Sequence, residues 1–141
     1  MNYPFETTLR VPYRDVDMQQ VVNNSYYLHY AEIGRIAYLR ERGMPYQHMV
    51  RQFDIEMVLA ESHCYYKVPA RFDDLLTVRV GLSDIGRSSF KVLYEIYREA
   101  TEDVIAHIRT HHVCVDRKQF RPARIPEPVL KLFRPDVLEA G

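Results

Sequence analysis

The stretch that decides the fold is YYLHYAEIGRIAYL, residues 26–39. Its small and apolar residues recur at helical spacing, at Tyr27, Tyr30, Ala31, Gly34, Ala37 and Tyr38. A second apolar line on the same helix consists of Ile33, Ile36 and Leu39. Two such lines predict a long helix that is buried on more than one side. Residues 23–25 supply N-cap side chains, and Gly43 followed by Pro45 indicates the end of the helix.

The rest of the chain shows the alternation and the β-branched residues that are typical of strands. Strands are predicted at residues 5–13, 53–68, 75–82, 90–98 and 104–115. Short connections at residues 73–74, 84–87 and 99–103 predict antiparallel hairpins. The predicted fold class is α+β, a five-stranded antiparallel sheet wrapped around one long central helix. Four of the eight prolines lie in the last 20 residues, which predicts coil and a short helix there.

Size and charge limit the class of protein. A chain of 141 residues suffices for one compact domain, predicted to span residues 1–141, and is too short for two. Nineteen basic and nineteen acidic residues cancel, which argues against a globally basic nucleic-acid-binding protein. Apolar runs are too short to cross a membrane, and the first residues lack the features of a signal peptide. The prediction is a cytoplasmic protein that binds neither nucleic acid nor membrane.

Cysteine and histidine usage suggests no metal site and no cofactor. Cys64 and Cys114 form no CxxC pair and lie in predicted strands, so we expect buried structural thiols. His107 and His111 share one face of a predicted strand while His112 points the other way, and the sequence offers no convincing third ligand. A G-x-S-x-G motif and a glycine-rich phosphate loop are also absent from the sequence, so neither a serine hydrolase nor a nucleotide cofactor is indicated.

A carboxylate-rich loop precedes the helix. Asp15 and Asp17 are two residues apart, so in an extended segment their side chains point the same way. A helix start offers free backbone N–H groups and a positive dipole end, which suits a carbonyl oxygen that gains negative charge. The loop therefore suggests a hydrolytic or acyl-transfer site. The alternative interpretation is that these residues only form turns and caps.

Six short motifs resemble those of one known family. They are VPYRDVD at residues 11–17, VNNSYYL at 22–28, YAEIGR at 30–35, VPARFDD at 68–74, IGRSSF at 85–90 and VCVD at 113–116. In this order they resemble hotdog-fold acyl-CoA thioesterases of the 4-hydroxybenzoyl-CoA thioesterase type. The resemblance runs over most of the chain, about residues 7 to 133, and keeps the predicted order of strands and helix.

The resemblance implies an acyl-CoA thioesterase, which hydrolyses a thioester to a free acid and CoA. It implies that Asp17 is the catalytic carboxylate, either as nucleophile or as general base, and that the backbone N–H of Asn24 polarises the thioester carbonyl. Asp15 is expected to brace the turn, and Glu32 to be structural. Members of the family are homodimers or homotetramers with active sites between subunits, and one exposed sheet edge here would suit such pairing.

Two departures from the family pattern concern the loop and the hairpin. Gln20 stands where many relatives have a glycine, a residue that lets the backbone turn tightly. The hairpin expected to contact CoA consists of Gly86, Arg87 and Ser88, with one positive charge where some relatives have a basic run. Both departures leave open a second function, a non-hydrolytic protein that binds acyl thioesters of CoA or an acyl carrier.

Other residues are candidates for substrate contact. Arg117, Lys118, Arg121 and Arg124 form a basic segment that could meet phosphates, although a solvated surface is the simpler interpretation. Tyr13, Tyr26 and Tyr66 are candidates for the wall of an acyl pocket. A dehydratase on the same fold is disfavoured, because such enzymes place a histidine near the helix start and no histidine precedes His29 here.

Overall fold

The computed structural model describes residues 2–139, and these form the predicted α+β arrangement. Its strands are β1 (Phe5–Arg10), β2 (Ile55–Tyr66), β3 (Leu75–Ser83), β4 (Ser89–Arg98) and β5 (Val104–Asp116). Its helices are α1 (Tyr26–Glu41), α2 (Tyr46–Phe53) and α3 (Glu127–Phe133), with short 3-10 turns at Tyr13–Asp15 and Arg134–Asp136. All five predicted strands and the long helix are confirmed.

The five strands form one antiparallel sheet in the order β1-β3-β4-β5-β2. Val78 of β3 pairs with Thr7 and with Ile96, and Ile108 of β5 pairs with Tyr94 and with Cys64. Strands β1 and β2 are the two edges. The first strand thus pairs with the third, and β2, which follows α1 and α2 in the chain, pairs with β5 at the opposite edge.

Helix α1 packs across one face of this sheet. Its buried residues follow the predicted helical spacing: Tyr27, Tyr30, Ala31, Gly34, Tyr38 and Leu39. Gly34 marks the closest approach, because a Cβ atom built on it would lie 2.6 Å from Cγ1 of Val78. The expected burial of the second apolar line is wrong in part, since Ile33 is 37% exposed. One sheet face can cover only one side of a helix, so this chain leaves that side open.

Strand β1 is shorter than predicted and ends at Arg10 instead of Tyr13. Pro12 lies two residues beyond Arg10, and proline has no backbone N–H to donate to a strand partner. Val11 still donates to the carbonyl of Asp74 at 3.0 Å, after which the chain turns through Tyr13–Asp15. The turn directs the following loop toward the start of α1.

Helix α2 was not predicted, and Phe53 belongs to it instead of to β2. Its apolar residues Tyr46, Met49, Val50 and Phe53 have the spacing of a helical face. Met49 and Val50 are buried, and Asp54 ends the helix in a left-handed conformation with φ of 55°. The helix covers the beginning of β2 and leaves the residues of β2 after Val58 largely exposed.

The proline-rich end forms the expected coil and short helix. Val129, Leu130 and Phe133 of α3 are buried against the body. Beyond α3, Asp136 accepts hydrogen bonds from the Tyr38 hydroxyl at 2.6 Å and from Nε of Arg42 at 2.8 Å. These bonds fix the end of the chain to the C-terminal part of α1.

Candidate active site

The loop between β1 and α1 folds into a small hairpin. Val16 and Val22 form an isolated antiparallel bridge, and the Asp17 N–H donates to the carbonyl of Val21 at 3.0 Å. On the other side of the bridge, the Asn23 N–H donates to the carbonyl of Asp15 at 3.1 Å. The hairpin thereby brings the aspartates of the motif close to the helix start.

Asp17 lies at the tip of this hairpin. Its carboxylate oxygen Oδ1 accepts the backbone N–H of Gln19 at 2.8 Å, and its carbonyl accepts the N–H of Gln20 at 2.9 Å. Among residues 2–139, no donor binds the second carboxylate oxygen of Asp17. The side chain is half-buried, so it has a fixed orientation and one oxygen free for a substrate or a water molecule.

Asp15 has a different environment, because it ends a 3-10 turn and not an extended segment. Its carboxylate is buried and accepts a 2.7 Å hydrogen bond from the Tyr30 hydroxyl. Burial raises the pKa of Tyr30, and the hydrogen bond to Asp15 raises it further. The two aspartates therefore do not share one face: Asp15 braces the loop against α1, as expected, and Asp17 lies at the loop tip.

Asn24 lies in the turn that leads into α1. Its backbone N–H meets no acceptor in the described part of the chain. The neighbouring Asn23 uses its side-chain oxygen to accept both the N–H and the hydroxyl of Ser25, at 3.0 and 2.8 Å. A free, exposed N–H next to the positive end of a helix is suited to bind an oxygen that carries negative charge.

Gln20 adopts the left-handed backbone conformation, with φ of 65°. This conformation costs a residue with a Cβ atom about 1 kcal/mol and costs glycine almost nothing. Gln20 stands where many relatives have a glycine, and its backbone adopts the positive φ that glycine favours. Gln20 keeps the turn that presents Asp17 and accepts some strain in doing so.

The three tyrosines proposed for an acyl pocket lie around this loop. Tyr13 is 77% exposed and contacts Phe72 edge-on, with ring centroids 5.5 Å apart. Tyr66, at the end of β2, donates its hydroxyl to the carbonyl of Asn24 at 3.4 Å. Tyr26 is half-buried in the first turn of α1. Phe72 was missed in the sequence, and its place in the VPARFDD motif is the only signal for it.

The hairpin of Gly86, Arg87 and Ser88 lies at the other end of the sheet. The loop carrying Asp17 is bound to Asp74 just before β3, whereas the hairpin follows the end of β3. At about 3.3 Å per residue, the nine residues of β3 span roughly 26 Å. Within one chain, these predicted substrate-binding residues are therefore not brought together with Asp17.

The basic segment lies beside this distant hairpin. The Ile125 N–H donates to the carbonyl of Arg87 at 2.8 Å, which places residues 117–124 next to residues 86–88. Not all of its charge is free: Arg117 lies 3.9 Å from a carboxylate oxygen of Asp54 and 3.8 Å from one of Glu56. The hairpin and the basic segment were predicted as two separate candidates for phosphate contact. In the fold they lie side by side and form one positively charged surface.

Both cysteines lie in strands, as predicted: Cys64 in β2 and Cys114 in β5. Cys114 is buried, and burial raises the pKa of its thiol to about 11, whereas Cys64 is only half-buried. Both are free thiols.

Within residues 2–139 the structure contains no cluster of three His, Cys, Asp or Glu side chains that could hold a metal ion. None of the described helices is long and apolar enough to span a membrane.

The sheet order, the single long helix across it and the loop at the helix start define a hotdog-type domain. Residues 11–133 match the model of the Thioesterase-like superfamily, and the chain belongs to this superfamily. The prediction of a thioester hydrolase is thereby confirmed at the level of the superfamily. The match does not extend to the 4-hydroxybenzoyl-CoA type in particular, which stays a prediction.

Relatives and solved structures agree with this assignment. The chain is 28% identical over 129 residues to the acyl-CoA thioesterase YbgC of Haemophilus influenzae, covering 92% of this chain and 93% of YbgC. A hypothetical protein from Aquifex aeolicus superimposes with a TM-score of 0.86 at 31% identity, covering 93% and 100% of the two chains. A 1,4-dihydroxy-2-naphthoyl-CoA thioesterase from Synechocystis gives a TM-score of 0.85 at 22% identity, covering 92% and 94%. At that identity the likeness shows the fold.

Proposed function

We propose that this protein is a single-domain acyl-CoA thioesterase that uses Asp17 and the backbone N–H of Asn24. The observation that carries the proposal is the loop itself. It presents a carboxylate oxygen and a backbone N–H, each without a partner among the described residues, near the start of a long helix. YbgC, which matches nearly the whole chain, is named an acyl-CoA thioesterase, and this supports an acyl-CoA substrate.

The chemistry assigns one role to each group. The Asn24 N–H and the helix dipole hold the carbonyl oxygen of the thioester as it becomes negative. As a general base, Asp17 takes a proton from water, the hydroxide adds to the carbonyl carbon, and the C–S bond breaks to release CoA thiolate, which takes up a proton. As a nucleophile, Asp17 adds to the carbonyl carbon and expels the thiolate, and water then cleaves the resulting anhydride. Both routes give a free acid and CoA.

The proposal includes a homodimer or a homotetramer with an active site between subunits. Asp17 and the surface formed by residues 86–88 and 117–124 lie about the length of β3 apart, roughly 26 Å at 3.3 Å per residue. If both serve one substrate, the second must come from another copy of the chain. The exposed part of edge strand β2 supports such pairing. The positive surface would then meet the phosphates of CoA.

The first test is release of free thiol from acyl-CoAs of different chain lengths by wild type and Asp17→Asn. Asparagine keeps an oxygen that can accept the Gln19 N–H, so the loop should remain folded while turnover falls by at least a hundredfold. Glu41→Gln is the matched control, because Glu41 is an exposed carboxylate at the C-terminal end of α1 and belongs to neither the Asp17 loop nor the positive surface. Full activity of Asp17→Asn would contradict the proposed role.

The role of the Asn24 backbone can be tested separately from its side chain. Asn24→Ala keeps the N–H and should retain turnover, whereas Asn24→Pro removes the N–H and should lose about a hundredfold or more. Thermal unfolding of both variants checks that the helix start is intact. Tight binding of acyl-CoA without turnover by wild type would instead favour the alternative, a non-hydrolytic acyl-thioester-binding protein.

A further inference from the structure

Segment 69–74, between β2 and β3, lies against the Asp17 loop, which is the connection from β1 to α1. Where this loop begins, the Val11 N–H donates to the carbonyl of Asp74 at 3.0 Å. The Asp73 N–H donates back to the carbonyl of Val11, also at 3.0 Å. This pair of hydrogen bonds fixes the first residue of the loop to the segment.

The same segment holds the other end of the Asp17 loop. The Val22 N–H donates to the carbonyl of Ala70 at 2.8 Å, and both residues are buried. Val22 also forms the bridge with Val16, the neighbour of Asp17. The N–H of Ala70 donates to the hydroxyl of the buried Tyr27 at 3.0 Å. A displacement of Ala70 would therefore move the bridged pair that leads to Asp17.

The tip of the loop has little packing of its own. Met18, Gln19 and Gln20 are exposed, and Asp17 itself is half-buried. Chain segments that bury few apolar groups open locally at a small cost in free energy. The orientation of Asp17 therefore depends on how firmly the two ends of its loop are held, and segment 69–74 binds both ends.

Segment 69–74 is in turn held by Arg98, the last residue of β4. Each of the three guanidinium nitrogens has an acceptor. Nε donates to Oδ2 of Asp74 at 2.9 Å, Nη2 to the carbonyl of Pro69 at 2.7 Å, and Nη1 to Oδ2 of Asp103 at 3.1 Å. The Arg98 side chain is 13% exposed, so these charge-assisted bonds are screened much less than those of surface pairs.

The forked shape of the arginine side chain is needed for this arrangement. Its acceptors on Pro69 and Asp74 belong to the two ends of the segment, and the planar guanidinium reaches them with two different nitrogen atoms. Between them, the N–H of Arg71 donates to the same Oδ2 of Asp74 at 2.8 Å and closes the segment into a turn. A lysine carries one nitrogen on a flexible chain, so it cannot hold both ends in one fixed geometry.

We infer that Arg98 is a positioning residue for Asp17: it fixes segment 69–74, and that segment fixes both ends of the loop that presents the carboxylate. The inference rests on the proposed thioesterase function. A general base or nucleophile must lie close to its target, and a misplacement of about 1 Å can cost roughly a hundredfold in rate. The positive surface of residues 86–88 and 117–124 lies at the other end of the sheet, so binding of CoA should not depend on Arg98.

The test compares the steady-state kinetics of Arg98→Lys and wild type on an acyl-CoA that wild type hydrolyses. We expect kcat to fall about tenfold or more while KM changes less than about twofold, because the loop shifts and the distant CoA surface does not. Arg79→Lys is the matched control. Arg79 of β3 also holds two carboxylates, Glu6 and Glu95, but makes no hydrogen bond to segment 69–74 in the described part of the chain. It should keep the kcat and KM of wild type. Wild-type kcat in Arg98→Lys, at a temperature where thermal unfolding shows the variant to be folded, would overturn the inference.

Amide hydrogen exchange measures the hold on the loop without turnover. The N–H groups of Asp17 and Val22 should exchange about tenfold faster in Arg98→Lys than in wild type, because their hydrogen bonds depend on the segment. The N–H groups of β5 report global unfolding and should change less. Arg79→Lys should leave exchange in the loop unchanged. Exchange in the loop that rises no more than exchange in β5 would contradict the positioning role.

A second variant keeps the inference testable if Arg98→Lys fails to fold. Asp74→Asn keeps an oxygen for the Arg71 N–H but lacks the charge that binds Arg98, so kcat should fall and loop exchange should rise, each by about threefold. Faster loop exchange in either variant, without hydrolysis of any acyl-CoA by wild type, would refute the proposed function and retain the link between Arg98 and the loop. Asp17-dependent hydrolysis with unchanged kcat and loop exchange in the variants that fold would refute the inference alone.

Discussion

The hydroxyl of Tyr30 donates a 2.7 Å hydrogen bond to Oδ2 of Asp15, and both side chains are buried. This bond joins the second turn of α1 to the loop that carries Asp17. Asp15 therefore helps to determine where its neighbour in the motif lies, although it is not a candidate for the chemistry itself.

Replacing Tyr30 with phenylalanine should destabilise the protein by about 1–3 kcal/mol, because it leaves the buried Asp15 carboxylate without its donor. The loop that presents Asp17 should loosen, so kcat should fall as well. Urea unfolding and thiol-release kinetics measure the two effects. Tyr97→Phe, which removes a 3.3 Å bond to Glu99 at an exposed position, should change stability by less than about 0.5 kcal/mol. Equal effects of the two variants would refute the bracing role.

Replacing Gln20 with glycine should leave the loop in place and raise the free energy of unfolding by up to about 1 kcal/mol, since glycine adopts positive φ without strain. Gln20→Val should lower it by about 1–3 kcal/mol, because a β-branched residue is more strained there. Urea unfolding of both variants gives the comparison. A loss of stability in Gln20→Gly would show that the glutamine side chain contributes more than its backbone strain costs.

Replacing Gly34 with alanine should destabilise the protein, although alanine is the better helix former. The added Cβ would lie 2.6 Å from Cγ1 of Val78 and 3.2 Å from Cγ2 of Val80. Overpacking of this kind costs about 1–3 kcal/mol, against about 1 kcal/mol gained in helix propensity. A Cβ atom at Gly86 would lie 3.5 Å from its nearest neighbour, so Gly86→Ala should leave the free energy of unfolding nearly unchanged. Urea unfolding of both variants gives the comparison.

Acid should destabilise the protein through His112. Burial of the imidazole lowers its pKa from 6.5 to about 3 in the folded protein, so between these values the unfolded chain binds a proton that the folded chain does not. The contribution of His112 to the free energy of unfolding is therefore complete above pH 6.5 and decreases as the pH falls toward 3. Between pH 7 and pH 5 it decreases by about 2 kcal/mol. His112→Gln should remove this share of the pH dependence in urea unfolding, and His111→Gln should not.

Local patterns explain why much of the fold could be predicted. The spacing of Tyr27, Tyr30, Ala31, Gly34 and Tyr38 determines the buried face of α1, and the apolar residues at every second position of β3 and β4 predict these two strands. Helix α2 was missed because its eight residues are bounded by Pro45 and by Asp54, and an apolar run that short suits a strand as well as a helix.

The candidate site was only partly predictable, since its parts meet through tertiary contacts. The motif identifies Asp17 and Asn24, but spacing alone does not distinguish a buried Asp15 from a free Asp17. That difference depends on Tyr30, thirteen residues after Asp17 in the chain. Likewise, Arg98 lies in β4, whereas Pro69 and Asp74, which its side chain binds, precede it by 29 and 24 residues.

The contact between Tyr66 and the Asn24 carbonyl joins a sheet edge to the residue that binds the thioester oxygen in our proposal. Strand β2 is one of the two edges of the sheet, its residues after Val58 are largely exposed, and Tyr66 is its last residue. Pairing along β2 would therefore act directly on the geometry of the helix start. Under the proposed function, the specific activity of this protein should rise with its own concentration, and dilution alone should act as an inhibitor.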